Sequence, residues 1–282
     1  MKNQPSRPLA LVTGASSGLG AEFARQLAAR GYNLVLVARR EEKLEAVAQQ
    51  LRERHGTGAE VLVADLAVDR DVEKVAHRIA AEPEFELLVN NAGFGALGYF
   101  FEGPLEPQEQ MHRVQVQATL RLTHAALAAM VPRGHGGVIN VSSVAAFSRI
   151  PGHTSYAAVK AWMTAFTECL HLELRMLRSP VRIQALCPGF THTEFHDVLG
   201  MDRDKIASNP NWWMTAEFVV SESLKGLDRG KWLVIPGWRY RMLVRLLGAL
   251  PRALMHRIMI RVARKREEAA KAPKSREIPT PL

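Results

Sequence analysis

The sequence predicts an α/β fold built on a doubly wound parallel sheet, a single domain followed by a C-terminal helical extension. Three observations predict it: short apolar runs alternate with stretches of helical periodicity, the first run passes straight into a glycine-rich turn and a helix, and chemically able residues recur just after the runs. Strand–helix units in series imply right-handed crossovers, hence parallel strands with helices on both faces. In such sheets ligands sit at the C-terminal ends of the strands.

Leu9 to Thr13 reads as the first strand, followed by Thr13-Gly14-Ala15-Ser16-Ser17-Gly18-Leu19-Gly20 and a helix from Ala21 to Arg30. Glycines there let a backbone approach a pyrophosphate, and a helix start offers free N–H groups to it; a tight turn into a helix would use the same residues. Asn33 to Ala38 is the second strand and ends in Arg39-Arg40, ahead of an amphipathic helix from Glu41 to about His55. At this strand tip an acid suits a ribose 2′-hydroxyl and an arginine a 2′-phosphate, so arginine without acid favours NADP(H) over NAD(H), unless the pair is simply solvated.

The third strand, Glu60 to Leu66, carries Asp65 near its end, and a helix follows from Asp69 to Ala81. A fourth, Leu87 to Val89, runs into Asn90-Asn91-Ala92-Gly93. One helix is expected from about Pro107 to Met130, with Val114, Leu122, Leu127 and Met130 apolar and Gln115 and Gln117 between them. Val138 to Val141 is a buried strand entering Ser142-Ser143, and a helix from about His153 to Arg178 carries Tyr156 and Lys160. The sixth strand, Val181 to Leu186, is broken by Cys187-Pro188-Gly189 before Phe190, Thr191, His192 and Thr193. Gly14, Arg39, Asp65, Asn91 and Ser143 all fall at strand ends and converge on one crevice.

Tyr156 and Lys160 are one helical turn apart and share a face. A phenol of ordinary pKa about 10 is a poor acid or base at neutral pH, and a neighbouring cation favours the phenolate. With the Ser143 hydroxyl brought close by the strand end, the trio makes a proton-transfer site for a carbonyl or alcohol. A solvated surface pair is the alternative for tyrosine and lysine alone.

Jointly, T-G-x-x-x-G-x-G at Thr13–Gly20, N-N-A-G at Asn90–Gly93, Ser143 thirteen residues before Tyr156, Y-x-x-x-K at Tyr156–Lys160 and P-G-x-x-x-T at Pro188–Thr193 resemble the short-chain dehydrogenase/reductase family over residues 8–237. The resemblance implies a Rossmann-like fold, an NADP(H) cofactor, and a small carbonyl or alcohol substrate. It implies that Tyr156 donates the proton, that Lys160 lowers its pKa and binds the nicotinamide ribose, and that Ser143 holds the substrate oxygen. It assigns the cofactor to Gly14, Ser16, Ser17, Gly18, Leu19, Gly20, Arg39, Asp65, Leu66, Asn91, Gly93, Gly189, Thr191 and Thr193, together with Tyr156 and Lys160. One departure stands out: eight residues before Thr123, where the family usually has an asparagine supporting a water relay to the lysine, this chain has Gln115. Homo-oligomers built on the two long helices are expected by the same resemblance.

Residues 194–214, with Trp212-Trp213, occupy the family's substrate-lid position. The tryptophans fit an apolar substrate, a subunit contact, or packing of the lid on its own domain. A short helix capped by Thr215 and a last strand, Lys231 to Gly237, close the domain at 1–237. In the extension, 238–282, Leu243, Leu246, Leu247 and Leu250 make one helical stripe and Met255, Ile258, Met259 and Val262 another, with Arg245, Arg252, Arg257, Arg261 and Arg264 around them. Such helices can lie on an anionic membrane surface or pack on the domain's own substrate cleft or a second subunit. The proline-rich end, Pro273 to Leu282, is expected to be disordered.

The chain has 282 residues, 47% hydrophobic and 23% charged, an ordinary globular composition. Its net charge of +9 is unevenly spread: residues 1–230 hold 24 Lys or Arg against 25 Asp or Glu, and residues 231–282 hold 13 against 3. Apolar residues interleave the tail's arginines, which argues against nucleic-acid binding. Cys169 and Cys187 give neither a disulfide framework nor metal-ligand spacing, and with no N-terminal signal pattern they point to the cytoplasm, with a membrane-peripheral position if the tail lies on a bilayer. The competing class is a cofactor-binding regulator or scaffold without turnover, supported by Gln115 alone.

Overall fold

The computed structural model describes residues 7–83, 85–195 and 210–271. Most of the expected lid and the proline-rich end lie outside them. Seven parallel strands form one sheet in the order β3-β2-β1-β4-β5-β6-β9, with β1 Leu9–Thr13, β2 Asn33–Ala38, β3 Ala59–Val63, β4 Phe85–Asn90, β5 Gly137–Val141, β6 Arg182–Leu186 and β9 Leu233–Val234. A separate two-residue pair, β7 Thr191–His192 and β8 Met214–Thr215, is also parallel.

The strands are apolar on both faces because both are covered. Ala10, Val12, Leu34 and Leu36 point into a core shared with Phe23 and Leu27 of α1 (Gly18–Ala29), Leu44 and Ala48 of α2 (Glu41–His55), and Val220 and Leu224 of α7 (Ala216–Asp228). Their neighbours Leu9, Leu11, Val35 and Val37 point the other way, toward Val75 and Ile79 of α3 (Asp69–Ala80), Leu122 and Met130 of α5 (Thr119–Arg133), and Leu174 of α6 (Thr154–Met176). The period of two along each strand thus feeds two cores.

Helix ends follow local chemistry. Helix α2 has Glu41 and Glu42 in its first turn and Arg52, Arg54 and His55 in its last, and Gly56 closes it at φ +57°, a left-handed conformation natural to glycine. Thr215 caps α7, its hydroxyl accepting from the Phe218 N–H at 3.2 Å.

The single helix expected over residues 107–130 is instead three pieces: α4 (Glu106–His112), a π-helical turn at Arg113–Ala118, and α5. The widened turn lies where Gln115, fully buried, sends its amide back to donate to the Phe94 carbonyl at 2.7 Å. Strand β3 ends at Val63, so Ala64 to Leu66 form the loop above it.

A buried polar ladder crosses the sheet centre. Asn90 donates to Asn140 at 2.8 Å and to Thr123 at 3.0 Å, and Asn140 donates to Thr167 of α6 at 3.0 Å. These side chains tie β4 and β5 to α5 and α6. Asn140→Ala removes two buried hydrogen bonds, to Asn90 and to Thr167, and is expected to cost about 2 kcal/mol of stability, read from the urea midpoint at unchanged m-value.

Candidate active site

The C-terminal strand ends open on one cavity of about 1050 Å³, whose lining includes Gly14, Ser17, Asp65, Asn91, Ser143, Tyr156 and Lys160. At its centre lies the serine strand against α6. Lys160 is buried and donates from Nζ to the Val141 carbonyl at 2.8 Å, while its own carbonyl accepts from the Ser142 hydroxyl at 2.8 Å. Thr164 adds a third bond, also to the Lys160 carbonyl, at 3.0 Å. The ammonium stands 5.7 Å from the centroid of the Tyr156 ring.

Ser143 caps a short turn, Val144–Ala146, accepting from the Ala145 N–H at 3.1 Å. Its hydroxyl also bonds the Tyr156 phenol. Burial pushes that phenol up to about 12, only partly offset by the bond from Ser143. Burial likewise pushes Lys160 down to about 7. The expected lowering of the tyrosine pKa by lysine is not what governs the phenol: burial is the largest influence on it, and raises it. Beneath them Cys187 is buried and pushed up to about 11 by the same cause.

The glycine-rich turn is shaped for a close ligand. Gly14 and Gly18 have φ of +67° and +57°, and a Cβ on Gly20 would come within 2.1 Å of the Gly14 carbonyl oxygen. No side chain caps α1 and its first turn holds no acid, so its N–H groups face the cavity uncompensated. Thr13 fixes the neighbouring loop, its hydroxyl accepting from the N–H groups of Asn91 at 2.9 Å and Ala92 at 3.0 Å. The Asn91 amide donates to the Thr13 carbonyl at 2.9 Å, which locks the first and fourth strand ends together. This cradle fits a dinucleotide pyrophosphate.

At the tip of β2 the structure separates the two arginines. Arg39 lies on the cavity wall with its side chain 70% exposed, 4.0 Å from Asp65. Arg40 reaches back over the glycine turn, to Ser17 at 2.8 Å and Ser16 at 2.9 Å, and pairs with Glu194 at 3.0 Å. Lys43 holds the other oxygen of Glu194 at 2.9 Å, and the two cations hold that carboxyl down at about 2. Sequence reasoning named Arg39 and missed Arg40; the signal available was only that both stand at the strand tip.

The remaining expected residues divide. Leu66, Gly93, Gly189, Thr191 and Thr193 all line the cavity. Gln115 does not: it lies behind the wall, its Oε1 within 2.8 Å of where a Cβ on Gly93 would stand and without a hydrogen-bond partner. Trp213 packs on its own domain, stacked on His192 at 4.8 Å and tilted against Phe190 at 5.4 Å, whereas Trp212 lines the cavity. Phe195 stands 5.9 Å from Tyr156, ring to ring. Sequence reasoning also missed Tyr240, whose hydroxyl accepts from the Phe190 N–H at 2.9 Å and donates to the Trp212 carbonyl at 2.8 Å. Among the described residues no cluster of His, Cys, Asp or Glu is arranged to hold a metal.

The family model described as short chain dehydrogenase matches residues 8–204. The chain belongs to this family. It is an oxidoreductase of the class whose members act on small carbonyl or alcohol substrates. A short-chain dehydrogenase from Sphingobium yanoikuyae, solved with NADPH, is 33% identical with a TM-score of 0.77 and covers 87% of this chain and 97% of its own. The bulky-bulky ketone specific alcohol dehydrogenase from Comamonas testosteroni is 30% identical with a TM-score of 0.73, covering 87% and 96%. A very-long-chain 3-oxoacyl-CoA reductase from Anas platyrhynchos is 30% identical over 200 residues, 70% of this chain and 64% of the relative.

Lys160 sets a pH signature. Its folded pKa, about 7, lies below its ordinary 10.5, so between those values the unfolded chain binds more protons and stability rises with pH. Cys187 and Tyr156 shift the opposite way, Cys187 being raised from 9.0 and Tyr156 from 10.0, which leaves pH 7 to 9 clear. Thermal or urea unfolding of the ligand-free protein should show stability rising across that window by up to about 1 kcal/mol per pH unit. Lys160→Met should flatten the rise, and an equal slope in both proteins would contradict the assignment.

Proposed function

We propose that the protein is an NADP(H)-dependent reductase of a ketone or aldehyde carrying a large apolar body, such as a 3-oxoacyl compound, reversible to alcohol oxidation. The observation that carries this reading is the convergence of Ser143, Tyr156 and Lys160 on one cavity wall, with the glycine cradle and a cationic rim at the far end. A bound nicotinamide would supply hydride to the carbonyl carbon.

The chain's own residues would do the rest. The Ser143 and Tyr156 hydroxyls hold the substrate oxygen, and the phenol, protonated at neutral pH, gives its proton to that oxygen as the C–O bond becomes single. Lys160, near its own pKa at neutral pH, is suited to return a proton toward the phenolate. Gly14, Gly18 and Gly20 admit the pyrophosphate to the α1 N-terminus, and Arg39, Arg40 and Lys43 offer positive charge to a 2′-phosphate in exchange for Glu194. The NADPH of the Sphingobium relative and the bulky ketone of the Comamonas relative support the cofactor and substrate class.

Two assays test this. Tyr156→Phe should lower kcat by about 10²–10⁴-fold in NADPH-linked ketone reduction followed at 340 nm, with NADPH binding retained. Arg40→Ala should raise KM for NADPH about tenfold while leaving that for NADH within about twofold, and Arg39→Ala run alongside shows which arginine sets the preference. Tight NADPH binding without turnover on a broad carbonyl panel would replace the reductase with a cofactor-binding regulator.

We also infer a homo-oligomer, because Leu120 of α5 and Leu172 and Met176 of α6 are large apolar side chains left 47%, 61% and 77% exposed. Light scattering on the eluting protein should give a multiple of the 31.3 kDa chain mass, and Leu172→Glu with Met176→Glu should return it toward the monomer.

A further inference from the structure

Within the reductase reading, part of the cavity is walled by the C-terminal extension, α8 (Trp238–Ala249) and α9 (Arg252–Lys271). Leu243 and Leu247 from α8 and Ile258, Met259 and Val262 from α9 line the same cavity as Tyr156. Leu247, Met255 and Met259 are buried and form a small core of their own with Ile150, six residues ahead of the tyrosine. That core is separate from the two that sandwich the sheet. The stripes noted in the sequence therefore face the domain's own cleft, with Leu246 off the stripe and 61% exposed and the five arginines at the surface.

Tyr240, in the first turn of α8, anchors this wall to the catalytic loops. Besides bonding Phe190 and Trp212, its ring fills the space above Gly189, where a Cβ would come within 2.0 Å of ring atom Cζ. Larger residues at 189 would expel it. The Asp, Glu, Arg and Lys side chains that line the cavity are Arg39, Arg40, Asp65 and Glu194 toward the nucleotide rim, and Lys160 in the centre. None comes from α8 or α9.

We propose that α8 and α9 form the binding pocket for the uncharged apolar body of the substrate, and that Leu247 and Met259 set the length of chain it accepts. The proposal rests on the reductase reading for the reacting end and goes beyond it in assigning the recognising end to the tail. An apolar wall gains affinity with each methylene it covers, worth about fourfold in kcat/KM, until the chain reaches its end.

The test uses the full chain, NADPH and methyl ketones from 2-butanone to 2-dodecanone. For the wild type, kcat/KM should climb about fourfold per methylene and then level off. Leu247→Trp and Met259→Trp should bring the plateau to shorter chains and cut the long-to-short ratio at least tenfold; Leu247→Ala and Met259→Ala should extend it. The alanine variants carry the test if a tryptophan variant melts early. A chain-length profile identical in all five proteins overturns the proposal.

If the wild type reduces neither these ketones nor any member of the broad carbonyl panel, the reductase reading fails, and the pocket is judged by binding: 2-dodecanone should displace Nile red from the wild type and at least tenfold less well from the tryptophan variants. Equal displacement would remove the pocket from the tail.

Discussion

The site depends on one double stitch between α6 and β5. Lys160 donates to the carbonyl of Val141, and the hydroxyl of Ser142, the next residue, donates back to the carbonyl of Lys160. Two bonds in opposite senses at a single crossing fix both the height of the helix along the strand and its rotation. Tyr156, one turn before, then has no freedom to slide away from Ser143, one residue beyond. A buried ammonium is unfavourable in an apolar interior unless hydrogen-bonded, so the stitch also accounts for how the lysine is tolerated there. The Asn90–Asn140–Thr167 ladder adds a second polar tie about two turns further along α6, where it aligns β4 with β5.

The same burial decides the protonation states. Burial disfavours both charged forms at once: it pushes the phenol up to about 12 and brings Lys160 down to about 7. A tyrosine that keeps its proton is poised as an acid toward a carbonyl. A lysine near neutrality can exchange a proton at little cost in either direction. Cofactor phosphates and a polarised substrate oxygen would enter a pocket that already holds its dipoles in position, which is the arrangement electrostatic catalysis requires.

Much of this was legible in the chain. The strand–glycine–helix opening, the tetrad Asn90 to Gly93 and the Tyr156–Lys160 spacing identify strand ends because parallel strands buried on both faces must be short, apolar and punctuated by turns. What was not legible depends on three-dimensional partners. Nothing local distinguishes Arg39 from Arg40; their division follows from Ser16, Ser17 and Glu194 standing where only the second arginine reaches. The π-helical turn at Arg113–Ala118 leaves no periodicity signal of its own. It accompanies a bond from Gln115 to Phe94, a residue twenty-one positions earlier.

Gly189 shows the limit most plainly. Read locally, proline and glycine after β6 are strand breakers, and any small turn residue would serve. In the fold, Gly189 is glycine because the ring of Tyr240 lies against it, from a helix that begins after the last strand of the sheet. A boundary drawn at residue 237 on sheet completeness alone cuts through that contact. The sheet does finish there, but the cavity does not: part of it is made by strand tips that the motifs reveal, and part by a leucine- and methionine-lined wall that only packing assigns. On the proposed reading, chemistry and recognition are encoded in different parts of the chain. Loop motifs would hold the reacting atoms to fixed geometry, while a wall facing the substrate's body would need only to be apolar and of the right depth.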